Sequence, residues 1–316
     1  MPGTDRLNLL DERAAMGPTS ERERMSAQDV SKILVVGAGV MGRGIAQVVA
    51  LAGFEVTLFD QSRAAVDAGV ESMGNSLDRS VERGRLTPQA RDAALANIRT
   101  AASLQEAAGG ADHVIEAVIE VLDVKRELFA ELDKLCRDDV VFATNTSQFS
   151  ITSIASATQR SDRVVGSHWF NPATAMRLIE IVPGEKTSPQ TLDLTVELAH
   201  RYGKQTVTCR RDTTGFITSR LCLALGMEAV RILEEGIATQ EEIDRACRLA
   251  FNHAMGPLDT LDYSGLDVTL RSSQSLADSY GEHFRAPQLL RRLVEAGDLG
   301  QKSGKGFRDY SANASR

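Results

Sequence analysis

The sequence predicts an α/β protein in which a largely parallel sheet, covered by helices on both faces, is followed by an all-α domain. Three observations carry this. Short apolar, β-branched runs alternate with helical segments over residues 29–212. A glycine-rich turn joins the first of these runs to its helix. From Thr213 onward the strand signal stops, while helical patterning continues over residues 213–316.

The first run, ILVV, has the length and branching of a buried parallel strand. Gly37, Gly39 and Gly42 follow directly in G-x-G-x-x-G spacing and open the helical segment GIAQVVALAG. A second strand, EVTLFD, ends in Asp60. In this strand–turn–helix–strand setting the glycines point to a bound dinucleotide. Gly37 permits the tight turn, Gly39 lets backbone approach a pyrophosphate, and Gly42 lets helix and strand pack closely. The helix N-terminus supplies amides for the phosphates. Asp60 is placed to accept from the adenosine ribose, which favours NAD over NADP because a 2′-phosphate would face a carboxylate. Arg63 stands nearby as the opposing signal.

Helices are expected over about 62–84 and 88–97, the second entered through Thr87-Pro88. ADHVIEAV reads as a strand, VLDVKRELFAELDKLC as an amphipathic helix and VVFATNT as a strand. SITSIASAT is a short helix, RVVGSHW and LIEIV are strands, SPQTLDLTVELAHRYG is a helix and KQTVTC is the last strand. The helical domain holds GFITSRLCLALGMEAVRILEEG, TQEEIDRACRLAF, LDVTLRSSQSLADSYGE and PQLLRRLVEAG.

Composition sets limits. The 316 residues suit two domains. A formal net charge of −7 argues against nucleic acid or an anionic membrane as main partner, and no apolar stretch is long enough to span a bilayer. Cys136, Cys209, Cys222 and Cys247 are scattered, with no metal-ligand spacing. They read as buried free thiols of a cytoplasmic protein without a metal. Residues 1–28 are polar, mixed in charge and without a signal core, and read as a flexible extension.

One feature of LIEIV stands out. Glu180 interrupts an apolar strand twelve residues after His168 and shares a face with Leu178 and Val182. Buried there, an ionised carboxylate is costly unless paired, and His168 is the nearest candidate.

GAGVMGRGIAQ, Glu120, NTSQF, HWFNP with its downstream IE, DTTGFITSR, NHAMGPLDTLDYSGLDV and LGQKSGKGFRDY occur in one order. From about residue 31 to the C-terminus the chain resembles the 3-hydroxyacyl-CoA dehydrogenase family, most closely its bacterial 3-hydroxybutyryl-CoA dehydrogenases. The resemblance implies a Rossmann-type doubly wound sheet, NAD as cofactor, an acyl-CoA substrate and a homodimer built through the helical domain. It implies that Val40 and Met41 join the three glycines and Asp60 at the cofactor, with Asn145 and Glu120 near the nicotinamide. His168 becomes the catalytic base and Glu180 its partner. Ser147 takes the position that bonds the substrate oxygen, and Asn171 helps to hold the active-site loop.

The chemistry is consistent with those residue types. Oxidising a secondary alcohol requires the hydroxyl proton to leave as hydride departs, and an imidazole can take it. A carboxylate on the opposite ring nitrogen fixes the tautomer and stabilises the imidazolium. Acyl-CoA phosphates need cations, and Arg79, Arg83 and Arg85 are the candidates; a solvated face with a pair such as Glu82–Arg85 is the alternative.

The chain departs from the family's Pro-Gly-Phe-x-x-Asn-Arg: Thr214 replaces the proline, and Ser219, rather than asparagine, precedes Arg220. Arg308 replaces an aromatic residue in GFRDY. Two rival readings stay open on this footing: a dehydrogenase of a free 3-hydroxy acid, like the gulonate dehydrogenase and lens crystallin relatives, or a non-catalytic NAD-binding protein.

Overall fold

The computed structural model describes residues 26–311. The first strand, β1 (Lys32–Val36), runs into α1 (Val40–Leu51), which returns the chain to β2 (Glu55–Phe59). Next come α2 (Arg63–Glu82), α3 (Pro88–Ala96), β3 (Ile98–Thr100), α4 (Leu104–Ala108) and β4 (His113–Glu116). The second half of the sheet domain contains α5 (Leu122–Leu135), β5 (Val141–Thr144), α6 (Ile151–Ala155), β6 (Val164–Trp169), β7 (Leu178–Pro183), α7 (Pro189–Arg201) and β8 (Gln205–Thr208). The helical domain holds α8 (Thr218–Glu234), α9 (Gln240–Phe251), α10 (Pro257–Ser264), α11 (Leu266–Tyr280) and α12 (Gln288–Glu295).

The eight strands form one sheet in the order β3-β2-β1-β4-β5-β6-β7-β8. Strand order reverses between β1 and β4, the switch point outside which α/β sheets bind ligands. All pairs are parallel except β6–β7, which is antiparallel. Local chemistry explains the helix starts. Ser62, Thr87, Ser103, Ser150 and Ser188 each accept a backbone N–H through the side-chain oxygen. Pro88 and Pro189 occupy first helical positions, where no N–H is needed.

Both sheet faces are buried. Ile45 and Val49 of α1, Met73 of α2 and Leu198 of α7 cover one face; Leu104, Phe129, Leu132 and Ile151 cover the other. A third apolar cluster, including Met227, Val230, Leu261 and Leu290, fills the helical domain. Each fully buried side chain of this size contributes about 1.5–3 kcal/mol relative to exposure.

Four sequence expectations need correction or extension. The extension expected over 1–28 lies outside the described residues up to residue 25, but Ala27 is buried in the core, and Arg201 donates to its carbonyl while lying over the Phe54 ring. Order therefore begins before residue 29. Cys136, Cys209 and Cys247 are buried as expected, whereas Cys222 is exposed on α8 beside the exposed Leu221. Among the described residues no ion pair joins Glu82 to Arg85. The short elements β3, α4 and α10 were not anticipated.

Candidate active site

The turn after β1 has the form a pyrophosphate requires. Gly37 adopts φ +106°, and a Cβ there would lie 2.4 Å from the Ala117 carbonyl oxygen. A Cβ on Gly42 would lie 1.7 Å from the Gly37 carbonyl oxygen. Both positions are closed to any other residue, while Gly39 has open space before it. No side chain caps α1, so the amides of its first turn, at Val40, Met41 and Gly42, stay available to an anion. The residues fit a dinucleotide. Asp60 directly follows β2, with one oxygen on the Ala38 N–H (2.9 Å) and the other on the Ser62 N–H (2.9 Å), which fixes the carboxylate beside the turn. Arg63 pairs with Asp67 at 2.9 Å and so is engaged on its own helix.

The dyad follows from sheet register. β6 and β7 are antiparallel, and His168 lies directly opposite Glu180, so both side chains leave the same face as neighbours. Nδ1 of His168 lies 2.7 Å from Glu180 Oε2. Glu180 is 0% exposed. Burial works to raise its pKa, but hydrogen bonds from His168 and Thr218 outweigh burial and hold the carboxyl below its ordinary value. An ionised carboxylate only accepts, so Nδ1 carries a proton, which in the neutral ring leaves the lone pair on Nε2. Nε2 makes no hydrogen bond among the described residues. The rings of Phe170 and Phe216 flank the imidazole, with centroids at 4.6 and 5.7 Å.

Glu180 has a second engagement that the sequence did not announce. Its Oε1 accepts from the Ile217 N–H (3.0 Å) and the Thr218 N–H (2.9 Å), and Oε2 accepts from Thr218 Oγ1 (2.6 Å). A strand carboxylate thereby caps α8, whose own Ile217 offers no capping side chain. The turn into α8 places Gly215 at φ +74° and Phe216 at φ +47°. A left-handed non-glycine residue costs about 1–2 kcal/mol, here offset by the amides it delivers to Glu180.

A buried ion cluster supports the neighbouring loop. Lys125, 1% exposed, lies 2.7 Å from Glu116 and 3.1 Å from Glu120. Burial works to lower the Lys125 pKa, but the two carboxylates outweigh it and the net direction is upward. Glu116 also accepts from Thr144 Oγ1 (2.6 Å) and the Val118 N–H (2.8 Å). Glu120 accepts from Thr146 Oγ1 (2.6 Å) and the Ser147 N–H (2.9 Å). The cluster thus holds the segment that presents Ser147. Asn145 Oδ1 accepts from the Trp169 N–H at 2.8 Å, tying that segment to the residue after His168.

Among the described residues, none of the remaining expected residues bonds to His168 or Glu180. Asn171 is exposed on the loop after β6, which Lys204 clasps by donating to the Ala173 and Met176 carbonyls, both at 2.6 Å. Ser219 is half-buried on the first turn of α8, beside Thr218. Arg79, Arg83 and Arg85 are exposed at the end of α2, with no ion pair among the described residues. Arg308 pairs with Asp259 and Asp244, which accounts for a cation where an aromatic was expected. Lys125, Glu116, Lys204 and Thr218 were missed. Two of them had a signal: Glu116 interrupts the apolar HVIEAV as Glu180 interrupts LIEIV, and Lys125 falls on the buried stripe of α5 with Phe129 and Leu132.

Known proteins share this arrangement of domains. A family model described as 3-hydroxyacyl-CoA dehydrogenase, NAD binding domain, matches residues 32–213, and one described as 3-hydroxyacyl-CoA dehydrogenase, C-terminal domain, matches residues 215–310. A probable 3-hydroxybutyryl-CoA dehydrogenase of Bacillus subtilis is 40% identical over 288 residues, covering 91% of this chain and 100% of that protein. A 3-hydroxybutyryl-CoA dehydrogenase of Mycobacterium tuberculosis is 41% identical, covering 89% and 99%. The crystal structure of (S)-3-hydroxybutyryl-CoA dehydrogenase from Ralstonia eutropha superposes with a TM-score of 0.85 at 38% identity, covering 89% of this chain and 99% of that one. With both family models matched in sequence and its relatives covered almost end to end, the chain belongs to the 3-hydroxyacyl-CoA dehydrogenase family and carries that family's NAD-binding domain.

Proposed function

We propose that the protein interconverts a (3S)-3-hydroxyacyl-CoA and the 3-oxoacyl-CoA, with 3-hydroxybutyryl-CoA as the expected substrate and His168 as acid–base. The observation that carries the reading is the 2.7 Å contact between His168 Nδ1 and the buried Glu180 carboxylate, with no hydrogen bond to Nε2 among the described residues. NAD, when bound, supplies the hydride acceptor. Nε2 takes the substrate hydroxyl proton in oxidation and returns it in reduction. Glu180 holds the productive tautomer and balances the charge that the ring acquires. Ser147, presented by the Glu120–Lys125 cluster, is suited to donate to the substrate oxygen. Asn171 shapes the adjoining loop and Ser219 reaches the substrate from α8.

Arg79, Arg83 and Arg85, exposed and without an ion pair among the described residues, support a role at the acyl-CoA phosphates. Leu221, Leu249 and Phe251 stand 66, 74 and 63% exposed on α8 and α9, an apolar load that supports a homodimer through this domain. No described helix is long and apolar enough to cross a membrane, and a cytoplasmic location fits the free thiols. The test is NADH absorbance on mixing the purified protein with NAD and 3-hydroxybutyryl-CoA, beside free 3-hydroxybutyrate and gulonate. Turnover of the thioester above both free acids is expected. Faster turnover of a free acid, or none of any, would overturn the proposal.

A further inference from the structure

We propose that Thr218 is a positioning residue of the dyad: its hydroxyl shares Glu180 Oε2 with the imidazole and weakens the carboxylate's hold on the protonated ring. The inference rests on reading His168 and Glu180 as the acid–base pair.

A carboxylate offers about four acceptor sites, and in Glu180 all four are filled. Oε1 takes the Ile217 and Thr218 amides, and Oε2 takes His168 Nδ1 at 2.7 Å and Thr218 Oγ1 at 2.6 Å. The carboxylate is fully buried, so water has no route to replace a lost partner. Because Glu180 only accepts, the Thr218 hydroxyl must donate. Its bond is strongest when the ring is neutral and Oε2 bears more of the negative charge. When the ring becomes imidazolium, it draws on the same oxygen and the hydroxyl gains less. Thr218 therefore favours the neutral ring, the form that accepts the substrate proton.

The groups around the pair do not supply this effect. Cys209, just after β8, carries a thiol pushed up to about 11 by burial and, to a lesser degree, by the Glu180 charge, so it stays neutral. Asp212 beyond it is bound by Ser150 Oγ and the Thr152 N–H. Arg220 on α8 lies over the Tyr280 ring, 3.8 Å from its centroid. Glu120 is held by Lys125. The rings of Phe170 and Phe216, which also flank the imidazole, carry no charge.

The test compares the full-length parent with Thr218→Val, which keeps the branched shape, and Thr218→Ser, which keeps the hydroxyl. Two quantities are read: kcat/KM against pH in both directions, and the ring nitrogen shifts of His168 in the protein without NAD or substrate. That resonance is assigned among the five histidines by its loss in His168→Gln. For Thr218→Val, oxidation should fall roughly two- to fivefold on the acidic side, the share of a charge-assisted hydrogen bond that differs between the two ring states. It should recover at alkaline pH, while reduction persists to higher pH. The ring titration should move the same way, and Thr218→Ser should restore the parent profile. If both directions fall by one factor at every pH with the ring titration unmoved, or if nothing changes, Thr218 is only part of the helix start. Thr218→Ala repeats the comparison should the valine variant not fold. Glu180→Gln separates the two levels: near-parent turnover there removes the dyad itself, whereas a crippled Glu180→Gln beside an unaffected Thr218→Val removes only this inference.

Discussion

Glu180→Gln should lower turnover by roughly 10³- to 10⁴-fold while leaving fold and NAD binding intact, and the reason is directional. The Glu180 carboxylate faces four donors, whereas an amide has one accepting end and one donating end. The Ile217 and Thr218 N–H groups cannot reverse, so the Gln oxygen must take the Oε1 place and the NH₂ must face His168. Nδ1 is then forced to accept, and the ring proton moves to Nε2, where the substrate proton was to go. Loss of the carboxylate also removes about 4 kcal/mol of attraction for the imidazolium at 4 Å and an effective dielectric of about 20, or about 10³-fold. Replacing the acid of a serine–histidine–aspartate triad by its amide imposes the same wrong tautomer at a cost of roughly 10⁴-fold. The assay is steady-state NADH absorbance, with NAD affinity from fluorescence quenching and integrity from thermal unfolding. A kcat within tenfold of the parent, with NAD binding retained, would refute the reasoning and leave Glu180 as the cap of α8 alone. Stability adds a second check. Because the folded-state pKa of Glu180 is held down, its contribution is complete above the unfolded-state value and is lost as pH falls through the folded one. The gap in stability between parent and variant should therefore close on acidification.

Three further outcomes are expected. Lys125→Met leaves Glu116 and Glu120 without their buried cation and should cost about 3–5 kcal/mol in urea unfolding; an unchanged midpoint would mean that the cluster contributes nothing to stability. Ser219→Asn should raise turnover of short 3-hydroxyacyl-CoA thioesters by roughly 10- to 150-fold with little change in NAD affinity, the worth of one added hydrogen bond to a group gaining charge. No change on any thioester would show that position 219 does not reach the site. Light scattering at micromolar concentration should give twice the chain mass, and a monomer would dismiss the apolar surface of α8 and α9 as an interface.

The sequence carried the parts of this structure that repeat or contradict their surroundings. Alternating strands and helices, and glycines where the structure has no room for a Cβ, were legible because many residues state the same thing. Glu180 was legible because a carboxylate in an apolar strand is a local contradiction. Glu116 is the same contradiction and was overlooked, because its partner Lys125 sits inside a helix whose amphipathic pattern absorbed it. The antiparallel turn of β7 had a signal too: Trp169 ends β6 and Leu178 begins β7, a gap shorter than the dozen or so residues a parallel crossover needs. Thr218 had none. Its significance arises only when a strand from one domain meets a helix start from the other, and nothing local to FITSR encodes that meeting.

That meeting also explains why the carboxylate is affordable where it is. Alone in the sheet, Glu180 would be a buried charge with one partner, costly and free to turn. Alone in the helical domain, α8 would begin with unsatisfied amides behind a left-handed Phe216. Each defect answers the other, since the amides and hydroxyl of α8 stabilise and orient the carboxylate, and the carboxylate caps the helix start. Orientation of the imidazole is therefore a property of the docked pair of domains as well as of the hairpin that carries His168. On the proposed mechanism, a loosening of α8 against the sheet would act on His168 directly, without any displacement of the glycine turn after β1.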